Sequence, residues 1–149
     1  MQRIELAKSN GIKEYLIVNE IGKELGVLAV DVTDLGFPKR TEIAQKNIDA
    51  LLKEAKTAME NTDTEASYEL LYKLDAKVKQ EIDTMFQTNV SEVVFGGTHC
   101  LSIGNGKTFI ERFFDSVIPV ILKDSNAAMK ESEKKLAKYK PMDHLEKKK

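Results

Sequence analysis

The hydrophobic period of this chain changes once, and that change limits the fold more than any other feature. Up to residue 34 the apolar residues run together or alternate. "QRIELA", "EYLIVNE" and "LGVLAVDVTD" are three such runs, separated by Ser9-Asn10-Gly11 and by Ile21-Gly22-Lys23. In the third run Leu28, Val30 and Val32 share one face while Ala29 and Asp31 share the other, the period-two pattern of a half-buried strand. The reading is a small antiparallel meander of two or three strands, which needs helices to cover it.

From residue 37 the spacing becomes helical. Pro38 stands where the first turn of a helix tolerates proline. Ala44, Ile48, Leu51, Ala55 and Ala58 then follow at steps of four and three. Asn61 to Asp63 interrupts the pattern, and Thr62 with Glu65 has the spacing of a capping box. Leu71, Leu74, Val78, Ile82 and Met85 make the next stripe. Two amphipathic helices joined by a short polar break predict an antiparallel helical hairpin over 37–86. "NVSEVVFGG" is short and reads as helix or strand, with Asn89 a candidate cap and Gly96-Gly97 a stop. "KTFIERFFDSVIPVILKD" is the last strong helix, in which Pro119 is expected to force a kink or an early end. The fold class is therefore α+β, mainly α: an N-terminal β-meander (1–34), the helical hairpin (37–86), and a loop with an apolar helix (89–123) in one domain of residues 1–124. Residues 125–149 are expected to form a charged tail, flexible or helical.

Charge narrows the function classes. The chain carries a net charge of −1, divided unevenly. Residues 130–149 hold eight lysines against four acids (+4), and the rest holds 15 basic against 20 acidic groups (−5). Arg3, Arg40 and Arg112 are the only arginines. A duplex-binding face is usually basic and arginine-rich, so no nucleic-acid partner is expected for the main body. No run of 18 apolar residues exists, so no membrane span is expected, and the N-terminus lacks the apolar core of a signal peptide. Cys100 is the single cysteine, which fits a reducing cytoplasm.

One stretch looks like chemistry. Gly104-Asn105-Gly106-Lys107-Thr108 resembles the end of a phosphate-binding loop opening a helix. The first glycine of such a loop belongs five residues before Gly106, and Leu101 stands there without glycine's backbone freedom. Asp124, in "PVILKD", resembles a Mg²⁺-holding aspartate but continues the helix that Lys107 opens, so it cannot lie on a neighbouring strand. The better reading is a turn at Asn105-Gly106 with Thr108 or Asn105 capping the helix. His99 beside Cys100 lacks a metal's remaining ligands, since His144 is the only other histidine, and no orienting carboxylate is evident for a nucleophile pair. Asp34, near Asp31, reads as a cap for the turn into the first helix. No catalytic residue, cofactor or metal is expected, and the chain is not read as an enzyme.

What remains is apolar surface. Phe109, Phe113, Val117 and Val120 step along one side of the last helix, and Ile110, Phe114, Ile118 and Ile121 along a second. A small domain buries one such rail, which leaves the other for a lid, a second copy or a client. The candidate protein-binding residues are Phe86, Val94, Phe95, Phe109, Phe113, Phe114, Val117, Ile118 and Ile121. The alternative is that strands and hairpin cover both rails as core.

At these residues the chain resembles a known family. A strand ending "DVTDLGF", a charged helical hairpin, "IDTMF", "NVSEVVFGG" and "FIERFFDSVIPVI" follow in the order seen in tail assembly chaperones of long-tailed phages and prophages. The likeness covers about residues 25–123 and departs at Gln87, where such proteins often have glycine. It implies a non-catalytic role in the host cytoplasm: binding the tape measure protein, keeping it soluble while tail tube protein polymerises around it, and forming a homo-oligomer. The alternative is a structural virion component, such as a head–tail connector or tail protein.

Overall fold

The computed structural model describes residues 1–6 and 11–142. Two strands, β1 (Ile12–Val18) and β2 (Glu24–Asp31), form an antiparallel hairpin with Tyr15 opposite Leu28 and Leu16 opposite Val27. Asn19 closes its turn: the side-chain oxygen accepts from the amides of Ile21 (3.1 Å) and Lys23 (3.0 Å), and Gly22 takes φ 82°, which suits glycine. Leu28 and Val30 are buried, as alternation predicts. Residues 1–6 do not add the third strand that "QRIELA" suggested, and Ala7 lies outside the described residues. Alternation makes a side chain pattern but supplies no hydrogen-bonding partner, and no edge in the described chain accepts this run.

The hairpin leads into α1 (Phe37–Met59) through a turn held by Asp34, which accepts from the Gly36 amide (2.9 Å) and from the Arg40 guanidinium (2.7 Å). The paired guanidinium and the amide hold the Asp34 carboxyl below the usual range. Arg40 also donates to the carbonyl of Met85 at the far end of α2 (Thr64–Phe86), and Asn47 donates to Glu81, so α1 and α2 run antiparallel. Their facing stripes are the predicted ones, with Ala44 and Ile48 buried against Leu74, Val78, Ile82 and Met85. The cap of α2 is Asp63 rather than Thr62: its carboxylate accepts from the Ala66 amide at 2.8 Å, whereas the Thr62 hydroxyl turns back to Met59 and Ser67.

After α2 the chain forms a single helical turn and a half, α3 (Ser91–Phe95), and a minimal hairpin of β3 (Ile103–Gly104) and β4 (Lys107–Thr108). Asn105 and Gly106 both take positive φ (54° and 77°), the geometry of a two-residue hairpin turn. Thr108 then caps α4 (Phe109–Ala137) in a reciprocal capping box with Glu111. The expectation of an early end at Pro119 is corrected, because α4 runs on to Ala137 and includes the first part of the expected tail. Proline leaves only the Asp115 carbonyl without its donor, and residues 115, 116, 119 and 120 are exposed, so water reaches that side. Ile118 and Ile121, on either side of Pro119, are buried and hold the helix to the core. α4 lies against the sheet: Asp124 accepts from Lys13 (2.9 Å) and Tyr15 (2.6 Å) on β1. These donors lower the Asp124 carboxyl, while burial and the nearby carboxylate push the Tyr15 hydroxyl up. Residues 143–149, including His144, lie outside the described residues.

Candidate protein-binding surface

The residues expected to meet a partner turn inward. Val94, Phe95, Phe113, Ile118 and Ile121 are each under 5% exposed, and Phe86, Phe109, Phe114 and Val117 are half-buried against them. The rings meet one another: Phe113 lies 5.7 Å from Phe95, 6.2 Å from Phe86 and 5.6 Å from Phe114 between centroids, and Phe95 lies 4.8 Å from Phe109. The hairpin, the sheet and α3 together cover both rails of α4 except at Val120, which is about half exposed. Five of the nine residues named from sequence are therefore interior and their offer as an exposed contact face is corrected on burial, while Phe86, Phe109, Phe114 and Val117 pack at its edge.

The interior is closed by a polar seam that sequence reasoning missed. Leu71, Asp75, Lys79 and Asp83 stand four residues apart along one side of α2, and each grips the chain that follows the helix. The Asp83 carboxylate accepts from the Val90 amide (2.8 Å), the Ser91 amide (2.7 Å) and the Ser91 hydroxyl (2.9 Å), so it caps α3 in place of Asn89. Lys79 bonds the Thr98 carbonyl (2.9 Å) and pairs with Asp75 (2.8 Å). The other Asp75 oxygen accepts from the Cys100 amide at 2.8 Å. The Leu71 carbonyl lies 2.7 Å from His99 Nε2. The signal was present as an i, i+4 polar row beside the apolar stripe, but such rows are usually solvated.

Asp75, His99 and Cys100 bring three metal-ligating groups within 4.8 Å, so the expectation that no carboxylate stands beside the His99–Cys100 pair is corrected. Sequence could not show it, because Asp75 reaches the loop only through the packing of α2. The cluster is nonetheless committed to structure. His99 Nδ1 accepts from the Leu101 amide (3.0 Å), which leaves the proton on Nε2 to bond Leu71. Both Asp75 oxygens have donors. Burial first, then the Asp75 charge, push the Cys100 thiol up to about 12, far from a thiolate at neutral pH. For Asp75 itself burial raises the carboxyl, but the Lys79 ammonium and Cys100 amide outweigh that and hold it low.

The loop that resembled a phosphate site is the β3–β4 hairpin. Lys107 is exposed and pairs with Asp115 at 2.6 Å, pointing along α4 instead of over a nest of amides. A different face is open. In the β1–β2 pairing Ile12, Leu16, Val27 and Ala29 fall on the side away from the core, and Ile12, Leu16 and Val27 are each half exposed or more. Beside them Val18 and Ile21 are exposed, as are Ile4 and Leu6 in the N-terminal segment. No helix of the described residues is long and apolar enough to cross a membrane. Comparison with family models, with curated proteins and with solved structures found no match to this chain.

Proposed function

We propose that this chain acts by binding another polypeptide, without catalysis. The observation that carries the reading is the outer face of the hairpin: between Glu14 and Asp31 it carries Ile12, Leu16 and Val27, each half exposed or more, with Leu16 and Val27 directly opposite each other. The Asp75–His99–Cys100 cluster is tied up in bonds with its own neighbours, and the exposed apolar side of the sheet offers contact with a polypeptide.

Within that class, the order of motifs from "DVTDLGF" to "FIERFFDSVIPVI" supports a tail assembly chaperone of a phage or prophage, with the tape measure protein as client. The contact surface moves from the phenylalanines to the sheet: the client lays an apolar helical stripe over Leu16 and Val27, and the chaperone keeps that stripe from aggregating. Co-expression with a phage tape measure protein tests this. A soluble complex is expected, lost in Leu16→Asp and Val27→Asp while their thermal melts stay near that of the wild type. Aggregated client in the presence of the chain, or complexes unaffected by both variants, would remove the reading. Recovery of the chain from finished particles would favour the structural virion component instead.

A further inference from the structure

Arg112 is held in place without a polar partner. It sits in the first turn of α4, half-buried, and its Nε is wholly buried with nothing to bond. Among the described residues it makes no ion pair or hydrogen bond. Arg40, by contrast, spends its donors on Met85 and Asp34. What positions Arg112 is stacking. Its guanidinium carbon lies 4.8 Å from the centre of the Phe109 ring. Its plane also lies over Gly104, where a Cβ would come within 3.1 Å of Cζ and 3.2 Å of both Nη atoms. A Cβ at 104 would be in tight contact, and the guanidinium would have to give by a few tenths of an ångström. A buried guanidinium nitrogen without an acceptor is costly, so such groups point to a missing partner.

Arg112 lines a cleft of about 460 Å³ between the β1–β2 turn and the α3–β3 loop, and its Nη atoms, unlike Nε, are not wholly buried. Phe95 and Phe109 contribute to its lining, and Gly96 and Gly97 form part of its border. Lys23 adds one positive charge, while Glu20, Glu24 and Glu92 add three negative ones. We propose that this cleft binds a carboxylate attached to an apolar body, the carboxylate on Arg112 and the body against Leu25, Val93 and Phe109. A guanidinium presents paired N–H donors that match a carboxylate's two oxygens. Inorganic phosphate has no apolar body to place against the ring, so it should bind more weakly than a carboxylate that carries one. The proposal stands independently of the sheet surface.

The side-chain Nε–H signals of the three arginines, read by ¹⁵N NMR on the whole chain, test it, with Arg112→Lys assigning the relevant one. Four probes are titrated: N-acetyl-leucine, N-acetyl-leucyl-glutamate amide, N-acetyl-leucinamide and inorganic phosphate. At least one of the two carboxylates should shift the Arg112 signal saturably, about tenfold more tightly than the leucinamide, as expected for a charge-assisted bond. The tighter of the two tells whether a chain end or an acidic side chain is the natural source. Arg112→Lys should weaken that binding by about the same factor while keeping the aromatic shifts of a folded core. Equal binding of the leucinamide, equal binding of phosphate, or no response of Arg112 to either carboxylate would overturn the assignment.

Discussion

Replacing Phe113 by alanine separates a core ring from a contact ring. Phe113 is 2% exposed and touches three other phenylalanines within 6.2 Å. Truncating such a ring removes its burial and leaves a cavity that neighbours fill only in part, which costs about 3–5 kcal/mol. That is a large share of the roughly 5–15 kcal/mol available to a domain of this size. With a urea m-value of about 2 kcal/mol/M, a loss near 4 kcal/mol lowers the unfolding midpoint by about 2 M. Leu16→Ala, on the open side of the sheet, should cost less than about 1 kcal/mol, because much of its surface is already in water. Urea titrations followed by circular dichroism give both numbers. If Phe113→Ala moved the midpoint by less than about 0.5 M while Leu16→Ala moved it more, the ring cluster would not be the interior and the placement of the contact surface would reverse.

Two further outcomes follow from local geometry. Gln87 takes φ 59° at the end of α2, a conformation that costs a non-glycine residue about 1–2 kcal/mol, against about 0.5–1 kcal/mol of extra chain entropy for glycine. Gln87→Gly should therefore stabilise by about 0.5–1 kcal/mol and raise Tm by about 1–4 °C; a lower Tm would refute the strain. Asp34, Asp75 and Asp124 all have carboxyls held below the ordinary value. A folded-state value below the unfolded one means that their stabilisation is present above about pH 4 and is lost as pH falls through the folded values. Stability measured by urea from pH 6 to 2 should drop most steeply below about pH 4, and Asp75→Asn should flatten part of that slope.

The helical hairpin was legible because Ile48, Leu74, Val78 and Ile82 repeat with the helix itself, so one period carries both the local structure and the face that packs. The cap of α4 was legible only as a choice between Thr108 and Asn105, and the reciprocal bond from Glu111 was not read. What escaped depends on contacts that no local period encodes. Both rails of α4 look like surplus apolar surface until the sheet and α3 are placed around them, which buries Phe95 and Phe113 together. Asp83 was hidden because an acid on a helix is ordinarily solvated, and only the return of Val90 and Ser91 makes it a cap. Pro119 misled because its intrinsic cost was weighed without the burial of Ile118 and Ile121. Asp75 meets Cys100 across 25 positions of sequence, and Arg112 meets Gly104 across a turn, so neither cleft nor cluster had a linear signature.

The side-chain row along α2 also governs when the following segment can open. The amides of Val90, Ser91 and Cys100 give their hydrogens to carboxylates rooted in that helix, and none belongs to a ladder of its own. Their exchange with deuterated solvent therefore waits on those carboxylates letting go, so a stretch that looks like an irregular surface excursion is guarded by side chains of α2.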